Sequence, residues 1–248
     1  MALDRARTAL GQVFYQRCFY LFIALLVLVG AALAFDPSPR DRVLLNAINL
    51  LIDVSAVAAI ARTRWSFVIA SLLAIPAMLF QLHAIISDDS SHLIGVWAFN
   101  AALYGVTIGY LLRYVFLRDV ITGDKLWGAA AGYLMLGALW GFLYAIAESF
   151  QPGSFAGGGV SVPPRTADLL YFSFTVLTST GFGDIVPVLR YARTLCVLEQ
   201  LTGALFLAIL IARLAGVYPP PPPRAPILPP REPLARRLRR QSSQSSGD

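Results

Sequence analysis

Apolar residues run in long stretches along this chain, and short polar clusters separate them. Stretches near 20 residues fill about Cys18–Phe35, Val43–Ala61, Trp65–Ile86, Leu93–Phe116, Leu126–Ala147 and Tyr191–Ala215. A helix of about 20 apolar residues crosses a bilayer core of about 30 Å, so each stretch predicts a membrane-spanning helix. Asp36-Pro37-Ser38-Pro39 ends the first helix, and Pro76 predicts a kink in the third. Arg62 and Arg64 mark a basic turn, and Ser87 to Ser91 an acidic loop. A seventh apolar run, Ala167 to Leu177, covers only about 16 Å as a helix, half the core. It predicts a re-entrant helix. Before it, Gln151 to Pro164 is rich in Gly, Ser and Pro and predicts a surface loop.

The expected fold class is therefore an all-α membrane protein. It has six transmembrane helices and a re-entrant helix and loop between helices 5 and 6. Residues 1–17 form an N-terminal segment and 18–120 a four-helix membrane domain. Residues 121–217 form a second membrane domain, and 218–248 a Pro-rich, then basic, then Ser-rich tail expected to be disordered. A cleaved signal peptide is the alternative for helix 1, because Ala32-Leu33-Ala34 mimics a cleavage site. The run is longer than a usual signal core, which favours a retained helix.

Composition agrees with burial in lipid. The 248 residues are 57% hydrophobic and 14% charged, with a net charge of +6. That charge is not a nucleic-acid footprint, because it lies in loops and tails beside the apolar runs. Six spans put both ends of the chain on one side. That side carries 15 Lys and Arg, the other 5. By the positive-inside rule both termini are cytoplasmic, and the 151–164 loop faces outward. Cys18 and Cys196 lie in or at apolar helices and read as buried thiols. No phosphate-binding loop, zinc spacing or catalytic triad is present, and His83 and His92 stand apart. This points away from an enzyme.

The chemistry concentrates in Thr178-Ser179-Thr180-Gly181-Phe182-Gly183-Asp184, directly after the short helix. Two glycines alternating with larger residues permit an extended, strained backbone with carbonyls turned to one side. Four such strands would make rings of oxygens able to replace the hydration shell of a monovalent cation.

This stretch resembles the selectivity filter of the potassium channel family, Thr-(Thr)-x-Gly-(Tyr/Phe)-Gly-Asp. The resemblance covers about Leu126 to Ala215. It implies a homotetramer in a cell membrane, passive potassium conduction, and no cofactor beyond the permeant ion. It implies K+ ligation by the carbonyls of Ser179, Thr180, Gly181 and Phe182, with the Ser179 hydroxyl at the cavity end. The family usually has Thr at position 179 and Val or Ile at 180. Serine lacks the methyl that fixes a rotamer, and Thr180 brings a hydroxyl that needs a partner. Both departures bear on the degree of selectivity.

By the same resemblance, Tyr171 bonds Asp184 and braces the outer mouth; interfacial packing is the other reading of Tyr171. Phe172 is expected against Phe182. The C-terminal dipole of the short helix favours a cation beneath the filter. Gly203 falls at the family's inner-helix hinge, with a close helix contact as the alternative. Ala204, Leu207 and Ile211 share a helix face and line the cavity, or else face lipid. Glu199 is expected to bond hydroxyls of the short helix such as Thr175 or Thr178; a cavity-facing ion site is the sharper alternative. Asp53 is expected to pair with Arg113, as a structural ion pair or as the relic of a voltage sensor.

Three rival functions remain: a weakly selective cation channel, a non-conducting membrane interaction subunit, and a secondary transporter. The last is weakest, since no inverted repeat is visible. Arg236, Arg237, Arg239 and Arg240 in the tail make anionic membrane lipids the expected non-self partner.

Overall fold

In a computed structural model of the chain, the residues described are 17–34, 39–61, 63–87, 93–116, 122–157 and 164–216. Residues 1–16 of the expected N-terminal segment, residues 35–38 after the first apolar run, Arg62 of the basic turn, residues 88–91 of the acidic loop, residues 117–121, residues 158–163 of the expected surface loop, and the 218–248 tail lie outside them. The chain divides into Met1–Val217 and Tyr218–Asp248, and all described residues belong to the first unit.

Seven helices and two short strands make up the described part. They are α1 (Arg17–Ala34), α2 (Pro39–Ile60), α3 (Arg64–Ser87), α4 (Leu93–Phe116) and α5 (Gly123–Phe150). Then come β1 (Phe155–Gly157), α6 (Thr166–Leu177), β2 (Ile185–Pro187) and α7 (Arg190–Gly216). The apolar runs set the helix centres, and polar residues extend the ends. α2 starts at Pro39, where a missing N–H costs nothing because the first helical N–H has no intrahelical partner. α5 takes in Asp124 in its first turn, where a carboxylate favours the helix N-terminus. α3 runs through Pro76 as one helix.

Among the described residues, four helices are long and apolar enough to cross a membrane: Arg64–Ile86, Leu93–Phe116, Gly123–Phe150 and Arg190–Arg213. The apolar parts of α1 and α2, Cys18–Ala32 and Asn46–Ile60, are shorter, as is α6. α5 is the central element and packs against α1, α4, α6 and α7. At its start, Asp124 Oδ1 accepts the Cys18 backbone N–H (3.1 Å) and Oδ2 accepts the Tyr114 hydroxyl (3.0 Å). One carboxylate thus ties α1, α4 and α5. Cys18 is buried and Cys196 is half-buried, and neither forms a disulfide.

Two expectations are corrected here. The 151–164 segment is not wholly loop. Its residues 155–157 form β1, which pairs antiparallel with β2 in the register Phe155↔Pro187, Ala156↔Val186, Gly157↔Ile185. Asp53 is not held by Arg113. Asp53 is fully buried and accepts a hydrogen bond from Gln81 Nε2 at 2.9 Å, while Arg113 is exposed near the end of α4. A long arginine near a helix end reaches the interface more cheaply than it enters the bundle.

Candidate functional site

α6 is built to stop at Leu177. Asp168 in its first turn accepts the Arg165 backbone N–H at 3.0 Å and pairs with the Arg165 guanidinium at 3.2 Å. At its end the helix carbonyls turn onto the following stretch. Ser179 N–H donates to the Val176 carbonyl (2.9 Å), and Thr180 and Gly181 N–H both donate to the Thr175 carbonyl (2.9 and 3.2 Å). Thr175 thus acts on this stretch through its backbone. Its buried hydroxyl is spent on the Phe172 carbonyl at 2.8 Å.

Beyond Thr178 the backbone changes hand at alternate residues. Ser179 (φ 56°), Gly181 (φ 56°) and Gly183 (φ 78°) are left-handed, and Thr180 and Phe182 between them are not. Alternating hand puts successive N–H groups on one face and carbonyls on the other. All of Thr178 to Asp184 is exposed within the single chain. The Thr180 hydroxyl finds Thr178 Oγ1 at 2.8 Å. Gln200 Nε2, on α7, donates to Ser179 Oγ at 3.4 Å. The sequence reading passed over Gln200, although it adjoins Glu199.

Glu199 is fully buried and joins three helices. Its Oε2 accepts the Tyr144 hydroxyl of α5, and its Oε1 accepts the Ser173 hydroxyl of α6 at 2.5 Å. Ser173 Oγ also lies 2.6 Å from the Gly137 carbonyl oxygen of α5. The α6 hydroxyl that meets Glu199 is therefore Ser173, not Thr175 or Thr178. Both carboxylate oxygens are occupied in a closed interior, which removes the geometry a cavity-facing ion site needs. Nearby, Tyr133 Oη donates to the Leu177 carbonyl at 3.2 Å and Trp140 Nε1 to Thr202 Oγ1 at 3.2 Å. Gly203 is buried against Leu177.

Phe172 does not meet Phe182. Its ring packs on Tyr144 (5.4 Å) and Phe155 (5.5 Å), and Phe182 is 70% exposed in the single chain. The Asp184 carboxylate beside Tyr171 raises the phenol above its ordinary value of 10.0. Asp184 Oδ1 accepts the Ile185 N–H at 3.0 Å, at the start of β2. Glu148, another residue the sequence reading missed, is buried and accepts the N–H groups of Gly153 (2.7 Å) and Phe155 (3.2 Å). It anchors the turn that delivers β1 to β2.

Ala204, Leu207 and Ile211 are exposed along α7. Most of α5 is buried within the chain, whereas most of α7 is exposed. The apolar side of α7 is thus open to lipid or to further protein.

Residues 131–218 match the family model described as "Ion channel". No curated protein matches the chain. The matched segment takes in most of α5, then α6, the 178–184 stretch and α7, which is the unit built above. A helical membrane protein that carries an ion channel-like segment is the class the fold and the match define, and passive ion conduction is the activity they support.

Proposed function

We propose that the chain is the subunit of a homotetrameric, potassium-selective channel that conducts passively across the cell membrane. The observation that carries this reading is the alternating hand of Ser179 to Gly183 at the end of α6. Its carbonyl face can ligate a dehydrated cation through Ser179, Thr180, Gly181 and Phe182, with the Ser179 hydroxyl at the inner end. The stretch is exposed in one chain because four copies line one axis. Non-helical backbone at membrane depth is tolerated where it lines such a wet path. In this reading α1, α2, α3, α4, α5 and α7 span the membrane and α6 is re-entrant. Residues 18–120 form a sensor-like domain and 121–217 the pore domain, and both termini are cytoplasmic.

Gly203 lets α7 approach α6, and Ala204, Leu207 and Ile211 line the cavity below. An apolar lining of this kind closes by dewetting. The basic tail binds anionic lipid headgroups. A weakly selective cation channel is the second reading. It is favoured by the Gln200–Ser179 bond, which ties the inner-site hydroxyl to α7 and constrains its turn toward an ion.

The test is flux and reversal potential in vesicles holding purified protein. Potassium permeation well above sodium supports the first reading. Equal permeation supports the second, and no flux points to a non-conducting interaction subunit.

A further inference from the structure

We propose that Asp53 keeps a proton and through it donates a hydrogen bond to Gln81 Oε1, so that the two side chains form a paired acid and amide inside the α1–α4 bundle. Asp53 on α2 and Gln81 on α3 are both fully buried. One bond between them is in place, Gln81 Nε2 to Asp53 Oδ2 at 2.9 Å. The other oxygen of each group, Asp53 Oδ1 and Gln81 Oε1, is buried without a hydrogen-bond partner. Both are acceptors if Asp53 is a carboxylate, and two acceptors cannot bond each other. A single proton on Asp53 Oδ1 turns it into a donor to Gln81 Oε1 and satisfies both atoms at once. A proton also needs no space, which suits atoms that expose no surface.

Among the described residues the surroundings offer no other compensation. Arg64 and His83 of α3 and Arg113 of α4 are exposed. The Tyr104 hydroxyl of α4, an ionisable group within reach of the Asp53 charge, is spent on Asn49 Oδ1 at 3.0 Å. Asn100 Oδ1, also on α4, is a further buried acceptor without a partner, and it supplies no proton. Among its described side chains, α1 brings only two ionisable groups: Cys18, which packs toward Gly128, and the exposed Tyr20. An unpaired carboxylate in this place would be costly, because burying a charge without a partner in apolar surroundings is strongly unfavourable. The neutral acid is the form in which α2 and α3 stay together, so their contact depends on a bound proton.

The experiment uses the full chain in lipid vesicles. An infrared difference spectrum between wild type and Asp53→Asn at neutral pH should show the carbonyl stretch of a protonated acid, lost in the variant, with no change in the carboxylate region. Asparagine has the shape and donor pattern of the protonated acid, so Asp53→Asn should unfold at the wild-type temperature. Gln81→Met should lower that temperature by the same amount in both backgrounds. A carboxylate band that disappears in Asp53→Asn would overturn the proposal. So would an Asp53→Asn chain that is destabilised or fails to fold, or a Gln81→Met effect confined to one background.

Discussion

The carbonyl oxygen of Leu177 stands where a side chain on Gly203 would begin. A Cβ on Gly203 would lie 2.8 Å from that oxygen and 2.7 Å from Leu177 Cδ1. The carbonyl cannot swing away freely, because Tyr133 Oη donates to it at 3.2 Å. Gly203→Ala should therefore push α7 off the end of α6, at an overpacking cost of about 1–3 kcal/mol. Thermal unfolding of the purified protein should register the loss, and ion flux should fall with it. Unchanged stability with altered opening would instead assign Gly203 to a hinge.

Gly181→Ala should leave expression intact and remove selective flux. At φ 56° an L-side chain costs about 1–2 kcal/mol. Relief of that strain rotates the peptide and takes a carbonyl out of the oxygen face. Vesicle flux of potassium against sodium measures this, and wild-type selectivity in the variant would remove Gly181 from the conduction path.

In the proposed channel Tyr171 braces Asp184 as a neutral phenol, and the carboxylate beside it raises its pKa above 10.0. The sign follows. The brace is complete below the ordinary value and is lost as pH climbs through the raised one. Flux should hold steady from neutral pH and fall only in the strongly alkaline range. Tyr171→Phe should lack this alkaline step and show the unbraced behaviour at every pH. An alkaline fall of the same size in both proteins would place its cause elsewhere.

Voltage should gate conduction only weakly. At a sensor's three-residue spacing α4 carries Ala98, Ala101, Tyr104 and Thr107, and its one basic residue is Arg113. A charge crossing the whole field is worth about 2.3 kcal/mol per 100 mV, and steep gating takes three or four per subunit. Arg113 is exposed near the helix end and crosses little of the field. Patch recordings in symmetrical potassium should give a shallow conductance curve. A steep sigmoid abolished by Arg113→Gln would contradict this.

The helices were legible because their signal is local. Each apolar run names its own centre, and α4 matches its expected bounds at both ends. The β1–β2 pairing was not legible. Three-residue strands carry no period, and their partners lie on opposite sides of α6 and the 178–184 stretch. The 178–184 stretch itself was readable from its glycines and hydroxyls. Its supports were readable only in part. Tyr171–Asp184 could be expected because both residues sit in a recognisable pattern. Ser173, Tyr144 and Gln200 were missed because nothing in a sequence says which hydroxyl or amide faces a buried group. Asp53 was assigned to Arg113 on opposite charge alone, and the chain paired it with an uncharged amide across α2 and α3.

The Glu199 junction also constrains how this protein can change over generations. Glu199 accepts the hydroxyls of Tyr144 and Ser173, so removing either hydroxyl strands one buried carboxylate oxygen, and removing Glu199 takes the carboxylate partner from the Tyr144 hydroxyl. Glu199→Leu, Tyr144→Phe and Ser173→Ala are each costly alone, yet together they leave little unpaired. Their effects are strongly non-additive. The three positions should therefore be inherited as a block, and a lineage that leaves the polar junction for an apolar one must cross a fitness valley to do so.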